Sequence, residues 1–239
     1  MTFPELNFTT YQNTVYRNIF TCTPSQHLLD DICDVEDEDL VDAFAQATSG
    51  IDHAIPQKKR VFQYGTLEMD EVLAVFKKER WGIGRFGDGL TYGVWYSAED
   101  ELTSVYEAAW TCYQLAVDNV LPHQEVYTSD RVMYEGAIAT EKMCDLVPQE
   151  NFHSLLTQSD YGFCQSLGKR VVEQNIHMMR TPSARRHGGV CTPIFSSEAI
   201  RDIAFLYYLN FHVLPQGNIH IVSAHSGMNI TLQAEQLRV

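Results

Sequence analysis

The chain contains no apolar run near the roughly 20 residues needed to cross a bilayer. Its first residues, MTFPELNFTTYQN, lack the basic start and unbroken apolar stretch of a secretory signal. A cytoplasmic location without membrane contact is therefore expected. Positive charge is scarce: 17 Lys and Arg against 31 Asp and Glu give a net charge of −14. A surface of that sign repels phosphate backbones and anionic lipid, so direct nucleic-acid binding is not expected and a basic protein is the better partner. The six cysteines (Cys22, Cys33, Cys112, Cys144, Cys164, Cys191) include no CxxC pair, which favours free thiols over a disulfide framework. His220 and His225 fall in a strand-to-loop region and not on one helical face, so no metal is expected.

A working dinucleotide fingerprint is missing too. Gly82, Gly84 and Gly87 spell GxGxxG, but a charged helix end (Lys77, Lys78, Glu79, Arg80) precedes them and a strand is expected after them. The nucleotide-binding version needs a buried strand before the glycines and a helix after them.

What remains is an ordinary globular composition, 45% hydrophobic and 20% charged over 239 residues, enough to bury a sizeable core. Residues 1–58 read as a helical N-terminal extension. Phe3, Leu6, Phe8, Tyr11, Val15, Tyr16, Ile19 and Phe20 recur at roughly helical spacing, and the acidic run Asp30 to Asp39 is either a solvated face or a dock for a basic partner. Gly50 and Pro56 mark the boundary, leaving residues 59–239 as the main domain.

In that domain the pattern predicts strands at 61–64, 90–96 and 218–223, and two more in NIHMMRTPSARRHGGVCTPIF around a Pro-Ser and a Gly-Gly turn. Helices are predicted at 70–79, 132–144, 151–156, 161–173 and 197–209. A further helix follows Ser97, read as its N-cap, with a core stripe through Leu102, Val105, Ala109, Cys112 and Ala116. Short strands interleaved with unequal helices, without a regular repeat, indicate an α+β fold.

The stretch from Gly84 to Trp110 brings a cation, a phenol and a carboxylate from three kinds of local structure: Arg85 on a glycine-rich turn, Tyr96 at a strand end and Glu107 on the helix. From spacing alone Glu107 lies opposite the core stripe, near Thr103, Trp110 and Gln114, where a carboxylate is ordinarily just solvated. Arg85 alone reads as a surface arginine, and Tyr96 as a core residue.

Two segments, GRFGDGLTYGVWYSAEDELTSVYEA and SDYGFCQSLGKRVVEQNIHMMRTPSARRHGG, resemble the RES domain family, named for its Arg, Glu and Ser. The likeness covers about residues 60–225. The first segment is similar to the family's arginine turn, its strand ending in Tyr, and its glutamate helix. The second is similar to its helix with a central Gln, its strand and its PSxR turn. Departures are Phe86-Gly87 after the arginine, Gln63 where a first-strand arginine is frequent, and Asn175 in place of a turn glycine.

The resemblance implies an ADP-ribosyltransferase-like core of two small sheets with flanking helices around an NAD cleft. It also implies a toxin that consumes NAD by hydrolysis or phosphorolysis, or passes ADP-ribose to a protein, and that pairs with an Xre-type helix-turn-helix antitoxin. NAD is then a substrate and no metal takes part; a homo-oligomer is left open. The functional set falls on Glu107, Arg85, Tyr96 and Ser183, with Arg85, Tyr96, Ser183 and Arg185 toward the dinucleotide.

These residue types suit that chemistry. Cleaving nicotinamide from ribose builds positive charge on the sugar, which a nearby carboxylate stabilises. A guanidinium on a glycine-flanked turn offers paired donors to a pyrophosphate. Ser183 could hold a ribose hydroxyl, a phosphate oxygen or Glu107 itself, or simply cap its turn. With no general base beside it, a serine nucleophile is rejected. A noncatalytic interaction module is the reading from another class.

Overall fold

The computed structural model describes residues 2–20, 60–62, 73–119, 125–223 and 225–237. Eight strands and three α-helices make up the regular structure of these residues. The strands are β1 (Phe8–Phe20), β2 (Arg60–Phe62), β3 (Tyr127–Asp145), β4 (Met178–Pro182), β5 (Val190–Cys191), β6 (Ile200–Val213), β7 (Asn218–Val222) and β8 (Asn229–Gln233). The helices are α1 (Glu101–Asn119), α2 (His153–Thr157) and α3 (Gly162–Glu173). The α+β expectation holds.

The whole ladder turns on β3. One edge of this 19-residue strand carries β1, antiparallel; the other carries β6, antiparallel, and beyond it β4, parallel at Met143 to Asp145. The path β5-β4-β3-β6-β7-β8 is continuous, so the two small sheets expected are the two ends of one branched sheet, joined through β3 and β6. Helix α1 packs on one face with the apolar residues of β6, β7 and β8, and helices α2 and α3 close over the β4 end. The opposite face of the centre holds Trp95, Val15, Ile138 and Ile203.

Three predicted helical stretches are corrected. Residues 132–144 lie in β3, 200–209 lie in β6, with only Ser197–Ala199 as a 3-10 turn, and residues 8–20 form β1. The cause is common to all three. Both faces of the central sheet are packed, so adjacent residues such as Val132 and Met133 are both buried and the two-residue alternation disappears. Register shifts at Met133/Tyr134 and Ala137/Ile138, and at Thr9/Tyr11 in β1, then move side chains between faces and leave apolar residues at helix-like intervals. The helical reading of residues 1–58 fails over 8–20, and residues 2–7 carry no regular element; residues 21–58, with the acidic run and the boundary near residue 58, lie outside the described residues, as does Gln63.

Residues 90–96 belong to no strand, and Leu90 and Thr91 lie in a bend where their N–H groups donate to Asp88 Oδ1 at 2.8 and 2.9 Å. Trp95 exchanges backbone hydrogen bonds with Ile194, at 2.8 and 3.0 Å, and Tyr92 and Val94 pack on the side opposite Trp95. The predicted helix at 70–79 is two short 3-10 turns over the described part, Leu73–Phe76 and Lys78–Arg80.

Other predictions hold closely. Val105, Ala109, Cys112 and Ala116 are fully buried along α1, and Phe163, Cys164, Leu167 and Val171 along α3. The N-cap of α1 is Asp100, not Ser97: Asp100 Oδ1 accepts from Thr103 N at 2.9 Å, while Ser97 Oγ donates to Thr192 O at 2.8 Å. Asn175 has φ +56°, the left-handed geometry that explains why a turn glycine is natural there and why asparagine is tolerated. Among the described residues no helix is long and apolar enough to cross a membrane.

Gly168 tests how α3 seats against the Arg85 turn. A Cβ at this position would lie 2.2 Å from Phe86 O and 2.6 Å from Tyr92 Oη. Alanine ordinarily favours a helix over glycine by about 1 kcal/mol, but here the collision with backbone dominates. Gly168→Ala is expected to cost a net ~1–3 kcal/mol, as overpacking does, measured by urea unfolding; an unchanged or raised midpoint would show that α3 does not pack this closely.

Candidate functional site

Glu107 sits two turns into α1, on the side away from the core stripe. Its Oε1 accepts from Ser183 Oγ at 2.6 Å, Ala184 N at 3.1 Å and Cys191 Sγ at 3.3 Å. Three donors thus converge on one oxygen of a half-buried carboxylate, and among the described residues Oε2 takes no hydrogen bond. That asymmetry fixes the group while leaving an oxygen for something else.

Ser183 is the hub on the other side. It is buried in the turn that follows β4, and its Oγ accepts from Arg185 N at 3.1 Å and Arg186 N at 3.0 Å while donating to Glu107. A hydroxyl has one proton and two lone pairs, and all are engaged. This is a hydroxyl that positions a carboxylate and not one prepared to attack a substrate. Burial of Cys191 beside Glu107 pushes its thiol pKa up, which suits a neutral donor.

Arg185 is 4% exposed. Its guanidinium stacks 4.1 Å from the Trp110 ring and donates to Leu237 O at 3.3 Å, while Nε is buried without a hydrogen-bond partner. Burial lowers its pKa and the charge of Glu107 opposes that shift. Arg185 also lines a cavity of about 680 Å3 with Trp110, Gln114, Ser154, Thr157, Gln158 and Tyr161. That size lies within the usual range for small-molecule sites. Glu107 is outside the cavity wall, one helical turn before Trp110, and Arg185 joins the two.

Arg85 is delivered by the turn 84–87, which Gln165 of α3 grips through Gly84 O at 3.1 Å and Gly87 O at 3.4 Å. The Tyr96 hydroxyl completes the grip, accepting from Phe86 N at 3.0 Å and Gly87 N at 3.1 Å. The turn has to begin with glycine, since a Cβ at Gly84 would lie 2.6 Å from that hydroxyl. Arg85 Nη1 donates to Leu156 O at 3.0 Å and Gln158 O at 2.8 Å, and the guanidinium lies 4.8 Å from the Tyr161 ring. It therefore braces the cavity wall at the end of α2.

Among the described residues no hydrogen bond links Arg85 or Tyr96 to Glu107 or Ser183. The charges of Arg85 and Glu107 nevertheless both act on Arg185 and Cys191. The ring of Tyr96 is partly exposed while its hydroxyl end is buried, which pushes its pKa up to about 12.

Sequence reasoning missed Cys191, Tyr161 and Arg17. Arg17, on β1, donates to Tyr96 O at 2.9 Å and lies 5.1 Å from the Trp95 ring, bracing Tyr96 from behind. A lone arginine between Val15-Tyr16 and Ile19-Phe20 was the available signal. Cys191, one residue beyond a Gly-Gly turn and a valine, gave none.

Two outcomes are expected. Ser183→Ala removes a donor from Glu107 and leaves two backbone N–H groups without their acceptor, lowering stability by about 2 kcal/mol; an unchanged urea midpoint would contradict the hub. For Tyr96, a folded pKa raised above the usual 10.0 means that its stabilisation is complete below pH 10 and is lost as pH climbs toward 12. Tyr96→Phe should therefore lose less thermal stability than the parent between pH 9 and pH 11, and equal losses would refute the assignment.

The RES domain family model matches residues 62–213. No curated protein matches the chain. A solved structure, that of the M. tuberculosis MbcT-MbcA toxin-antitoxin complex, is similar over 83% of this chain and 86% of the matched one, at 14% identity and a TM-score of 0.45. The family match spans well over half of the sequence and includes Arg85, Tyr96, Glu107 and Ser183, and the chain belongs to the RES domain family.

Proposed function

We propose that the protein is a toxin enzyme that binds NAD beside Glu107 and cleaves its nicotinamide–ribose bond, depleting NAD by hydrolysis or phosphorolysis. The carrying observation is the asymmetric Glu107 carboxylate, three donors on Oε1 and none on Oε2, next to a cavity held by buried Arg185.

In this reading the C–N bond breaks with its electron pair leaving on nicotinamide, and Glu107 Oε2 stabilises the positive charge left on the ribose. Arg185, whose side chain lines the cavity, supplies charge-assisted bonds to the dinucleotide's pyrophosphate. Arg85 and Tyr96 keep the wall and the turn in shape, and the aromatic faces of Trp110 and Tyr161 offer surfaces for a ring. Water or phosphate then attacks the ribose carbon. Membership of the family supports NAD as the substrate and an Xre-type antitoxin as the partner. The excess of acidic residues favours a basic contact surface on that partner.

Transfer of ADP-ribose to a protein is the less favoured outcome. The position two residues before Glu107, where protein transferases of the wider fold often carry a second glutamate, is Val105, and it is fully buried in the core beneath α1.

Glu107→Gln keeps the shape of the side chain and removes its charge. Nicotinamide release from NAD should fall by at least about 100-fold, as when a group stabilising transition-state charge is lost, with circular dichroism unchanged. Undiminished release would remove Glu107 from the mechanism. Mass spectrometry of the products with and without phosphate separates hydrolysis from phosphorolysis, and label from NAD retained on protein would establish transfer instead.

A further inference from the structure

We propose that Arg186 is a positioning residue that sets the contact between Ser183 and Glu107; this rests on Glu107 being the carboxylate that acts on the substrate. Arg186 holds both halves of the site at once. Its backbone N–H donates to Ser183 Oγ at 3.0 Å. Its side-chain Nη1 reaches the start of α1, with Asp100 Oδ1 at 3.3 Å, Asp100 Oδ2 at 3.2 Å and Thr103 Oγ1 at 2.9 Å.

Asp100 is the N-cap of α1, and Glu107 lies seven residues on, about 10 Å along a rigid helix. Because successive helical residues turn by about 100°, fixing the first turn of α1 against the serine turn also fixes the direction in which Glu107 points. The two surfaces meet closely: a Cβ at Gly189 would lie 2.6 Å from Thr103 Oγ1 and 3.2 Å from Arg186 O. A second tie, Arg180 with Glu99 at 2.7 Å, sits one residue before the cap. That pair fixes the strand, whereas Arg186 fixes the turn that carries Ser183.

The clamp is poorly placed to serve stability alone. The Arg186 and Asp100 side chains are 31% and 45% exposed, and ion pairs so open to solvent contribute little to folding. A residue of this kind should therefore separate turnover from stability.

The test uses the full chain. Arg186→Ala is expected to lower kcat for nicotinamide release by ~10- to 100-fold, as when a group near the chemistry is misplaced by about 1 Å, with KM within about twofold and Tm nearly unchanged. Arg186→Lys should recover part of the loss. In a Ser183→Ala background the Arg186→Ala change should have little further effect, because both act through one contact. Parent-like kcat in Arg186→Ala, or effects that simply multiply with Ser183→Ala, would overturn the proposal while leaving the enzyme reading intact. If the parent protein releases no nicotinamide at all, the enzyme reading fails separately, and hydrogen exchange decides the positioning role. Faster exchange of the Ala184 and Arg185 amides in Arg186→Ala supports it, and unchanged exchange refutes it.

Discussion

The Ser183–Glu107 hydrogen bond is the central tie between two parts of the chain that lie far apart in sequence. It joins a helix to a turn 76 residues away. A bond to an ionised carboxylate contributes about 1.5–3 kcal/mol, comparable to a sizeable fraction of a domain's net stability. Its larger effect is directional. With Oε1 saturated by an alcohol, an amide and a thiol, the second oxygen has one orientation available. The turn in turn depends on this contact, since Ser183 Oγ also collects two of its N–H groups.

Around that contact an acidic protein concentrates its scarce guanidinium groups. Arg85, Arg185 and Arg186 all border the site, and Arg17 lies behind Tyr96. Each is held by something other than a buried carboxylate partner: backbone carbonyls and an aromatic face for Arg85, Trp110 and Leu237 O for Arg185, a half-exposed cap for Arg186. Arg85 and Arg185, kept in place without a carboxylate partner among the described residues, remain able to attract an anion, which fits a substrate carrying a pyrophosphate.

Local chemistry was legible in the sequence where one face of an element carried the whole signal. The stripe from Val105 to Ala116 and the α3 stripe could both be read directly, because each depends on short-range spacing. The central sheet could not. In β3 and β6 both faces are buried and bulges shift the register, so their periodicity imitates a helix. At the site, Glu107 and Ser183 were found through the family likeness and not through spacing, which alone placed Glu107 on a solvated face. The convergence of Cys191 and Arg17 is purely tertiary, and no pattern along the chain encodes it.

The proposal stands or falls on whether NAD enters the hollow that Arg185 lines, with Glu107 beside it. The most direct measurement is a crystal structure of the full chain with a non-cleavable NAD analogue. The nicotinamide-side ribose is expected within hydrogen-bonding distance of Glu107 Oε2 and the pyrophosphate in contact with Arg185. An analogue ordered elsewhere on the protein, with that hollow empty, would contradict it.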